Sequence, residues 1–152
     1  MKHIHVLEDE ATADPLEWRA SLSGQKVLLI DDDIELLRLV AAGFRAASAE
    51  VEVAIDGQAG LARFRTRPAS LVVTDIIMPN REGIETIVAL KRIRPGIKII
   101  AISGGYRVGP QDFLELARHV GADGVLAKPF RIAELLRLAA ELLGSPVHVS
   151  AA

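Results

Sequence analysis

The stretch KVLLIDDD, residues 26–33, decides the fold, because four aliphatic residues run directly into three aspartates. A run that is apolar at consecutive positions suits a β-strand covered on both faces. Four further aliphatic, β-branched runs follow it along the chain. They are EVEVA at 50–54, SLVVT at 70–74, IKIIAIS at 97–103 and GVLAK at 124–128. The sequence therefore predicts five strands.

Apolar residues at helical spacing separate these runs and follow the last one. They are Ile34, Leu37, Ala41 and Phe44, then Leu61 and Phe64, Ile84 and Ile87, Phe113, Ala117 and Val120, and finally Ile132, Leu135, Leu136, Ala139, Leu142 and Leu143. Strands that alternate with helices in this way predict an α/β fold, a doubly wound five-stranded parallel sheet with right-handed crossovers. We expect this domain to span residues 26–143.

Composition limits the classes of protein that the chain can be. Its 152 residues make one domain, and 50% of them are hydrophobic, which is enough for a core. Aromatic residues make up 4% and the net charge is −2, so we expect no nucleic-acid partner and no anionic lipid surface. There is no cysteine, and no apolar run approaches the roughly 20 residues of a membrane span, so membrane insertion is not expected. The acidic start MKHIHVLED is unlike a signal peptide, which favours the cytoplasm.

Two segments lie outside the predicted domain. In residues 1–25, Asp14 can cap a helix, Pro15 suits its first position and Glu17 can complete a capping box. We predict a short helix that ends near Leu22. Residues 144–152 form a small, weakly patterned C-terminal tail.

Carboxylates gather where the predicted strands end. Asp31 and Asp32 follow the first strand and Asp75 follows the third, and ligands of such sheets bind at this edge. At 4 Å and an effective dielectric constant of 20, each pair of charges repels by about 4 kcal/mol, so such a cluster binds a proton or a cation. Oxygen donors without cysteine or histidine favour Mg²⁺. Ser103 and Lys128 end two other strands and can hold a phosphoryl group.

Four motifs in this order carry a family resemblance: VLLIDDD (27–33), VVTDIIMP (72–79), IIAIS (99–103) and VLAKPF (125–130). The chain resembles the receiver domain of bacterial two-component response regulators over nearly all of residues 26–143. The resemblance implies a flavodoxin-like (βα)5 fold. It also implies Mg²⁺-dependent phosphorylation of one aspartate by a histidine kinase or a histidine phosphotransfer protein, in a signalling protein that is not otherwise an enzyme.

The resemblance also implies roles for particular residues. Asp75, four residues before Pro79, is the expected phosphoacceptor, and Asp31 and Asp32 match the acidic pair that binds Mg²⁺. Asp75 is expected to bind the metal with them, and Ile77 would give it only its backbone carbonyl. Ser103 matches the hydroxyl that moves toward the phosphoryl group, and Lys128 matches the lysine that pairs with that group. The peptide bond between Lys128 and Pro129 is expected to be cis.

The chain departs from the family at the positions that read out phosphorylation. Val125 stands where many receivers have an aromatic residue, so another readout is required. The loop from Gly104 to Pro110 is longer than usual, and Tyr106 within it is a candidate for that role. Since few residues follow the last helix, we expect a stand-alone receiver, a monomer or weak dimer that acts on a downstream partner protein or relays the phosphoryl group.

Two alternatives remain open at this point. The first is a haloacid-dehalogenase-like phosphatase that uses Asp31 as its nucleophile. Such phosphatases have a further acidic motif after the lysine, and here only Glu134 and Glu141 follow Lys128. The second is a receiver fold that binds partners without taking phosphate. Among the other acidic residues, Asp33 is predicted to cap the helix that begins at Ile34, and Asp56 before Gly57 is read as a turn residue.

Overall fold

The computed structural model describes residues 15–76, 82–104 and 110–144. In chain order the elements are α1 (Pro15–Leu22), β1 (Lys26–Ile30), α2 (Ile34–Ala46), β2 (Glu50–Ala54), α3 (Gly57–Thr66), β3 (Leu71–Asp75), α4 (Glu82–Ile93), β4 (Lys98–Ser103), α5 (Pro110–His119), β5 (Gly124–Ala127) and α6 (Ile132–Gly144). Each of the five strands is followed by a helix, so the predicted alternation is confirmed.

All five strands lie in one parallel sheet with the order β2-β1-β3-β4-β5. β3 is the central strand and pairs with β1 on one side and β4 on the other. Ile30 stands opposite Thr74, and Asp75 opposite Ile102, so the strands end at nearly the same level. This register brings the residues that follow β1 and end β3 and β4 to one edge of the sheet.

The sheet separates two apolar layers. On one face, Leu29, Val73 and Ile102 pack with α2 and α6, and Phe44 of α2 is fully buried there. On the other face, Leu28, Val72 and their neighbours pack with α3, α4 and α5. Four of the five residues of β1 are buried. The strand is therefore apolar at consecutive positions because helices cover both of its faces.

The helix predicted before the first strand is present as α1, and it packs against α6. Leu22 is fully buried in the layer of α2 and α6, and Trp18 packs against that layer. At Gly144 of α6, an added Cβ would collide with the side chain of Ser21. The glycine thus permits the close approach of the two helices. The domain boundaries at residues 26 and 143 remain predictions.

Aspartate side chains cap two of the helices that begin at the carboxyl edge of the sheet. Asp33 accepts a hydrogen bond from the Leu36 N–H at 3.2 Å and caps α2, as predicted. Asp56 accepts from the Ala59 N–H at 2.7 Å and caps α3. It is therefore a helix cap, where the sequence was read as a turn. Among the helices of the described ranges, none is both long enough and apolar enough to cross a membrane.

Candidate functional site

A cleft with three carboxylates lies at the carboxyl edge of the sheet. Asp31 follows β1 and Asp75 ends β3, and each side chain belongs to a residue that is only 4% exposed. Asp32 is exposed. A carboxylate oxygen of each residue lies within 4.8 Å of the others. The register of β1 and β3 thus brings together the three acidic residues that the sequence placed at strand ends.

Lys128 is the residue directly after β5, and its side chain extends into this cleft. Its Nζ donates hydrogen bonds to Asp75 Oδ2 at 2.9 Å and to Asp31 Oδ2 at 3.1 Å. Its backbone N–H donates to the Ser103 carbonyl at 2.7 Å, which ties the segment after β5 to the end of β4. The peptide bond between Lys128 and Pro129 is cis, as predicted. One ammonium group therefore bridges two of the three carboxylates.

The cleft opposes the ionisation of Asp31. Burial first, and then the negative charge of Asp75, raise the pKa of Asp31 to about 6. The charge of Lys128 and the Asp33 N–H, which donates to Asp31 Oδ1 at 2.8 Å, lower this pKa and only partly offset the other effects. For Lys128, burial lowers the pKa, but the charges of Asp75 and Asp31 outweigh it, so the pKa is raised. Lys128 is therefore charged at neutral pH.

The donor set fits a hard divalent cation. Three carboxylates converge, and neither cysteine nor histidine accompanies them within the described group. Oxygen-only ligands with one exposed member suit Mg²⁺, which keeps part of its water shell. Asp31 and Asp32 can hold such an ion while Asp75 borders it. A cation here would also offset the charge repulsion that raises the pKa of Asp31.

Ser103 ends β4 with its hydroxyl fully buried. Within the described part of the chain, its Oγ has no hydrogen-bond partner. A buried hydroxyl without a partner costs about 1–3 kcal/mol. The following Gly104 packs against the Lys128 side chain, where an added Cβ would lie 3.1 Å from Cδ. Ser103 thus keeps an unused donor on the strand between Asp75 and Lys128.

Gly83 belongs to the site and was missed by the sequence analysis. It lies in the first turn of α4, where an added Cβ would collide with the Asp75 carbonyl oxygen and the Ile76 backbone. The helix therefore starts directly against the end of β3, and only glycine allows that approach. A glycine at the beginning of a predicted helix, where it lowers helix stability, was the available signal.

Two predicted residues fall outside the description of the site. Ile77 and Tyr106 lie outside the described residues, as does the loop between Gly104 and Pro110. Val125 is described, and it packs half-buried against the layer of α3, α4 and α5. A separate cleft of about 250 Å³ opens at the opposite edge of the sheet, beside Lys26 and Arg67, and none of the predicted site residues lines it.

Residues 27–140 match the family model described as the response regulator receiver domain. The chain belongs to this family. Receiver domains are signalling phosphoacceptors that bind Mg²⁺ at an acidic pocket, and the cluster of Asp31, Asp32 and Asp75 is compatible with such a pocket. The match excludes the two short ends of the domain and all of α1.

Among curated proteins, the receiver is similar to the transcriptional regulatory protein PrrA of Mycobacterium leprae. The two are 34% identical over 123 residues, which is 80% of this chain and 51% of PrrA. The chain spans about half the length of the first curated relatives it matches. The response regulator receiver protein CpdR of Brucella abortus is 30% identical over 112 residues, 74% of this chain and 91% of CpdR.

Solved structures give the same family. A CheY-like response regulator receiver domain protein of Methanospirillum hungatei has a TM-score of 0.73 and 29% identity, over 80% of this chain and 95% of that one. The chemotaxis protein CheY4 of Vibrio cholerae has a TM-score of 0.71 and 28% identity, over 80% of this chain and all of that one. The predicted five-stranded flavodoxin-like fold is confirmed.

Proposed function

We propose that this receiver accepts a phosphoryl group on Asp75, in the presence of Mg²⁺, from a histidine kinase or a histidine phosphotransfer protein. The observation that carries the proposal is the position of the Asp75 carboxylate. It is buried, it lies 2.9 Å from the Lys128 ammonium, and its oxygens approach those of Asp31 and Asp32. This arrangement suits a nucleophile beside a cation site and a charged donor.

The reaction forms one bond and breaks one bond. An Asp75 carboxylate oxygen attacks the phosphorus of a phosphohistidine, and the phosphorus–nitrogen bond breaks as the phosphorus–oxygen bond forms. The histidine nitrogen keeps the bonding electron pair and takes up a proton. Asp31, Asp32 and Asp75 would hold the Mg²⁺, with the Ile77 carbonyl as the further ligand that the family resemblance implies. When bound, Mg²⁺ offsets the negative charge that develops on the phosphoryl oxygens.

Lys128 and Ser103 would stabilise the product. The Lys128 ammonium now shares its protons between two carboxylates, and a phosphoryl oxygen on Asp75 would take the place of one of them. The Ser103 hydroxyl, which has no partner among the described residues, would donate to another phosphoryl oxygen. Satisfying a buried donor is favourable, so β4 would move toward Asp75 in the phosphorylated state. This movement would be the start of the signal.

The receiver would act on a partner protein or relay its phosphoryl group. The similarity to CpdR and CheY4 supports this proposal, because the chain covers 91% and 100% of their lengths. The transcriptional regulators among the relatives are about twice as long as the matched region. A location in the cytoplasm and a monomeric or weakly dimeric state belong to the same proposal.

The test is the intact mass of the protein after incubation with Mg²⁺ and acetyl phosphate. We expect a gain of one phosphoryl group that hydroxylamine removes, that Asp75→Asn abolishes, and that Asp31→Asn and Asp32→Asn slow by at least about tenfold. Asp33→Asn is the matched control, because it removes the same charge from a helix cap next to the site and should leave the gain unchanged.

Three results would count against the proposal. Phosphorylation that survives Asp75→Asn would place the acceptor elsewhere. Steady release of phosphate that requires Asp31 would favour the phosphatase. No gain of mass with acetyl phosphate or with a histidine kinase would indicate a receiver fold that binds partners without taking phosphate.

A further inference from the structure

The ends of α3 and α4 carry an unbalanced positive charge. Residues 57–74 and 86–104 contain seven of the 18 lysines and arginines and none of the 20 aspartates and glutamates. The rest of the chain therefore holds 11 basic and 20 acidic residues. A net charge of −2 conceals this separation. Two neighbouring segments of an acidic protein are strongly basic.

Four of these cations are exposed at the ends of the two helices. Arg63 and Arg65 lie in the last turn of α3, and Arg92 and Arg94 lie at the end of α4. In the described part of the chain, none of the four forms an ion pair with a carboxylate. We call these four arginines the basic surface. Their charges are available to a molecule outside the chain.

Two of the other three cations of these segments are already engaged in ion pairs. Arg67 pairs with Glu52 at 3.2 Å, and Lys91 pairs with Asp123 at 3.0 Å. Lys98 begins β4 at the same edge of the sheet. The exposed acid nearest in sequence, Glu85, lies two helical turns before Arg92. Among the described residues, two of these cations thus have a carboxylate partner, whereas Lys98 and the basic surface have none.

The two helix ends are neighbours in space. α3 and α4 pack against each other on the same face of the sheet, and both run from its carboxyl edge to its amino edge. Neighbouring packed helices lie about 8–10 Å apart. Arg92 lies nine residues beyond Gly83, which touches Asp75, and at 1.5 Å per residue this is roughly 14 Å from the acidic cleft. The basic surface is therefore at the end of the molecule opposite the proposed phosphorylation site.

An apolar side chain lies within this surface. Ile93, between Arg92 and Arg94, is 42% exposed although it ends a helix whose opposite face is buried. Arginines around an exposed aliphatic residue match the composition of protein interfaces, which are rich in arginine and apolar at their centre. An isoleucine contributes nothing to contact with a phosphate backbone. The described residues of the surface also offer no aromatic ring on which a base could stack.

We infer that the basic surface, with Ile93 between Arg92 and Arg94, binds an acidic segment of a partner protein whose carboxylates flank an apolar side chain. Arginine suits this partner because its planar guanidinium forms paired hydrogen bonds with a carboxylate. The acidic cleft at the other end would repel an extended polyanion such as a duplex, whereas a short acidic segment contacts the basic surface alone. The proposal adds a second binding surface and does not depend on phosphorylation of Asp75.

The experiment measures binding of two labelled peptides to the full chain by fluorescence anisotropy. Both peptides are short and rich in glutamate and aspartate, and they differ only in carrying leucine or serine at the centre. We expect the leucine peptide to bind more tightly, and binding to weaken steeply as salt rises to physiological strength. The triple variant Arg65→Gln, Arg92→Gln and Arg94→Gln should weaken binding by about tenfold or more.

Matched variants separate this effect from net charge and from folding. Arg19→Gln, Arg38→Gln and Arg45→Gln together remove the same charge from exposed arginines of α1 and α2, on the other face of the sheet, and should leave peptide binding within about twofold. Ile93→Ser should remove the preference for leucine, and Ile55→Ser, which changes a residue 56% exposed at the other edge, should not. A urea denaturation curve of the triple variant that matches the wild type would show that the variant is folded.

Four outcomes would overturn the inference. The first is that the triple variant and its control bind the peptide equally well, and the second is that the wild type binds no peptide at low salt. The third is that the wild type binds a DNA duplex more tightly than the leucine peptide at physiological salt. The fourth is that phosphatidylserine vesicles bind the wild type but not the triple variant. Each of these outcomes is independent of whether Asp75 is phosphorylated. Failure of this inference and failure of the proposed function are therefore distinguishable.

Discussion

Replacing Asp31 by asparagine should make the metal-free protein more stable at neutral pH. The pKa of Asp31 rises from 3.8 to about 6 on folding, mainly through burial and the charge of Asp75. Each pKa unit corresponds to about 1.4 kcal/mol. The raised pKa of Asp31 therefore lowers the free energy of unfolding at pH 7 by about 3 kcal/mol, relative to a side chain that stays neutral in both the folded and the unfolded state. Asparagine is neutral and keeps the oxygen that accepts the Asp33 N–H. We expect a gain of about 2–3 kcal/mol in the free energy of unfolding.

The dependence on pH fixes the sign of this effect. An acid whose pKa is raised on folding destabilises the protein above that pKa, and the cost disappears as the pH falls toward the unfolded value. The advantage of Asp31→Asn should therefore be full above pH 6 and fall below about 1 kcal/mol near pH 4. The assay is urea denaturation of both proteins in EDTA from pH 4 to 8. The control Asp33→Asn removes a charge from the neighbouring cap of α2 and should change stability little at any pH.

Magnesium should reverse the order of stability. An ion that binds only the folded protein stabilises it by an amount that grows with its concentration, and the variant lacks one carboxylate ligand. Addition of Mg²⁺ should therefore stabilise the wild type more than Asp31→Asn. A variant less stable than the wild type in EDTA at pH 7, or an advantage that does not shrink toward pH 4, would refute the electrostatic reasoning.

Three further outcomes can be measured on single substitutions. Phe44→Ala removes a fully buried ring and should lower the free energy of unfolding by about 3–5 kcal/mol in urea denaturation. Gly83→Ala forces a Cβ against the backbone of Asp75, and it should slow phosphorylation by acetyl phosphate and broaden or shift the amide resonances at the end of β3. Lys91→Met removes the donor to the Ile97 carbonyl and one of the two donors to the Asp123 carboxylate, which keeps its bond from the Ile99 N–H. The substitution should cost about 1–2 kcal/mol of stability, which urea denaturation also measures.

Each of these has a matched substitution elsewhere in the chain. Leu39→Ala removes an apolar side chain that is 42% exposed, and Gly96→Ala adds a Cβ with no atom within 4 Å. Lys98→Met removes an exposed ammonium that forms no ion pair among the described residues. All three should change stability by less than about 1 kcal/mol. Equal effects in a pair would show that the named contact is not the cause.

The sheet and its acidic edge could be predicted because they depend on patterns that lie along the chain. KVLLI at 26–30 is apolar at consecutive positions, and this pattern alone indicates a strand covered on both faces. Parallel strands end at one edge, so the acidic residues after β1 and at the end of β3 had to be neighbours. The cap at Asp33 followed from its place directly before an apolar helical pattern.

Features that depend on contacts between distant segments were missed. Gly83 is required because α4 begins against the end of β3, and no residue near it in sequence reports that contact. Ile34 fits the helical pattern of α2, yet it is 55% exposed because it lies in the first turn, beyond the edge of the apolar layer. Asp56 was read as a turn residue because the sequence of α3 begins with a glycine, which seldom starts a helix. The pairing of Lys91 with Asp123 joins residues 32 positions apart.

The separation of charge within the described part of the molecule contributes an electric dipole. In that part, carboxylates crowd the carboxyl edge of the sheet, and the four arginines that form no ion pair stand at the other end of α3 and α4. The electric field of an approaching charged protein would orient this receiver before contact, so that the end of opposite charge faces the partner. A basic phosphodonor would meet the cleft, while an acidic protein would meet the arginines. Two proteins could thus approach one small domain from opposite ends without competing for the same approach path.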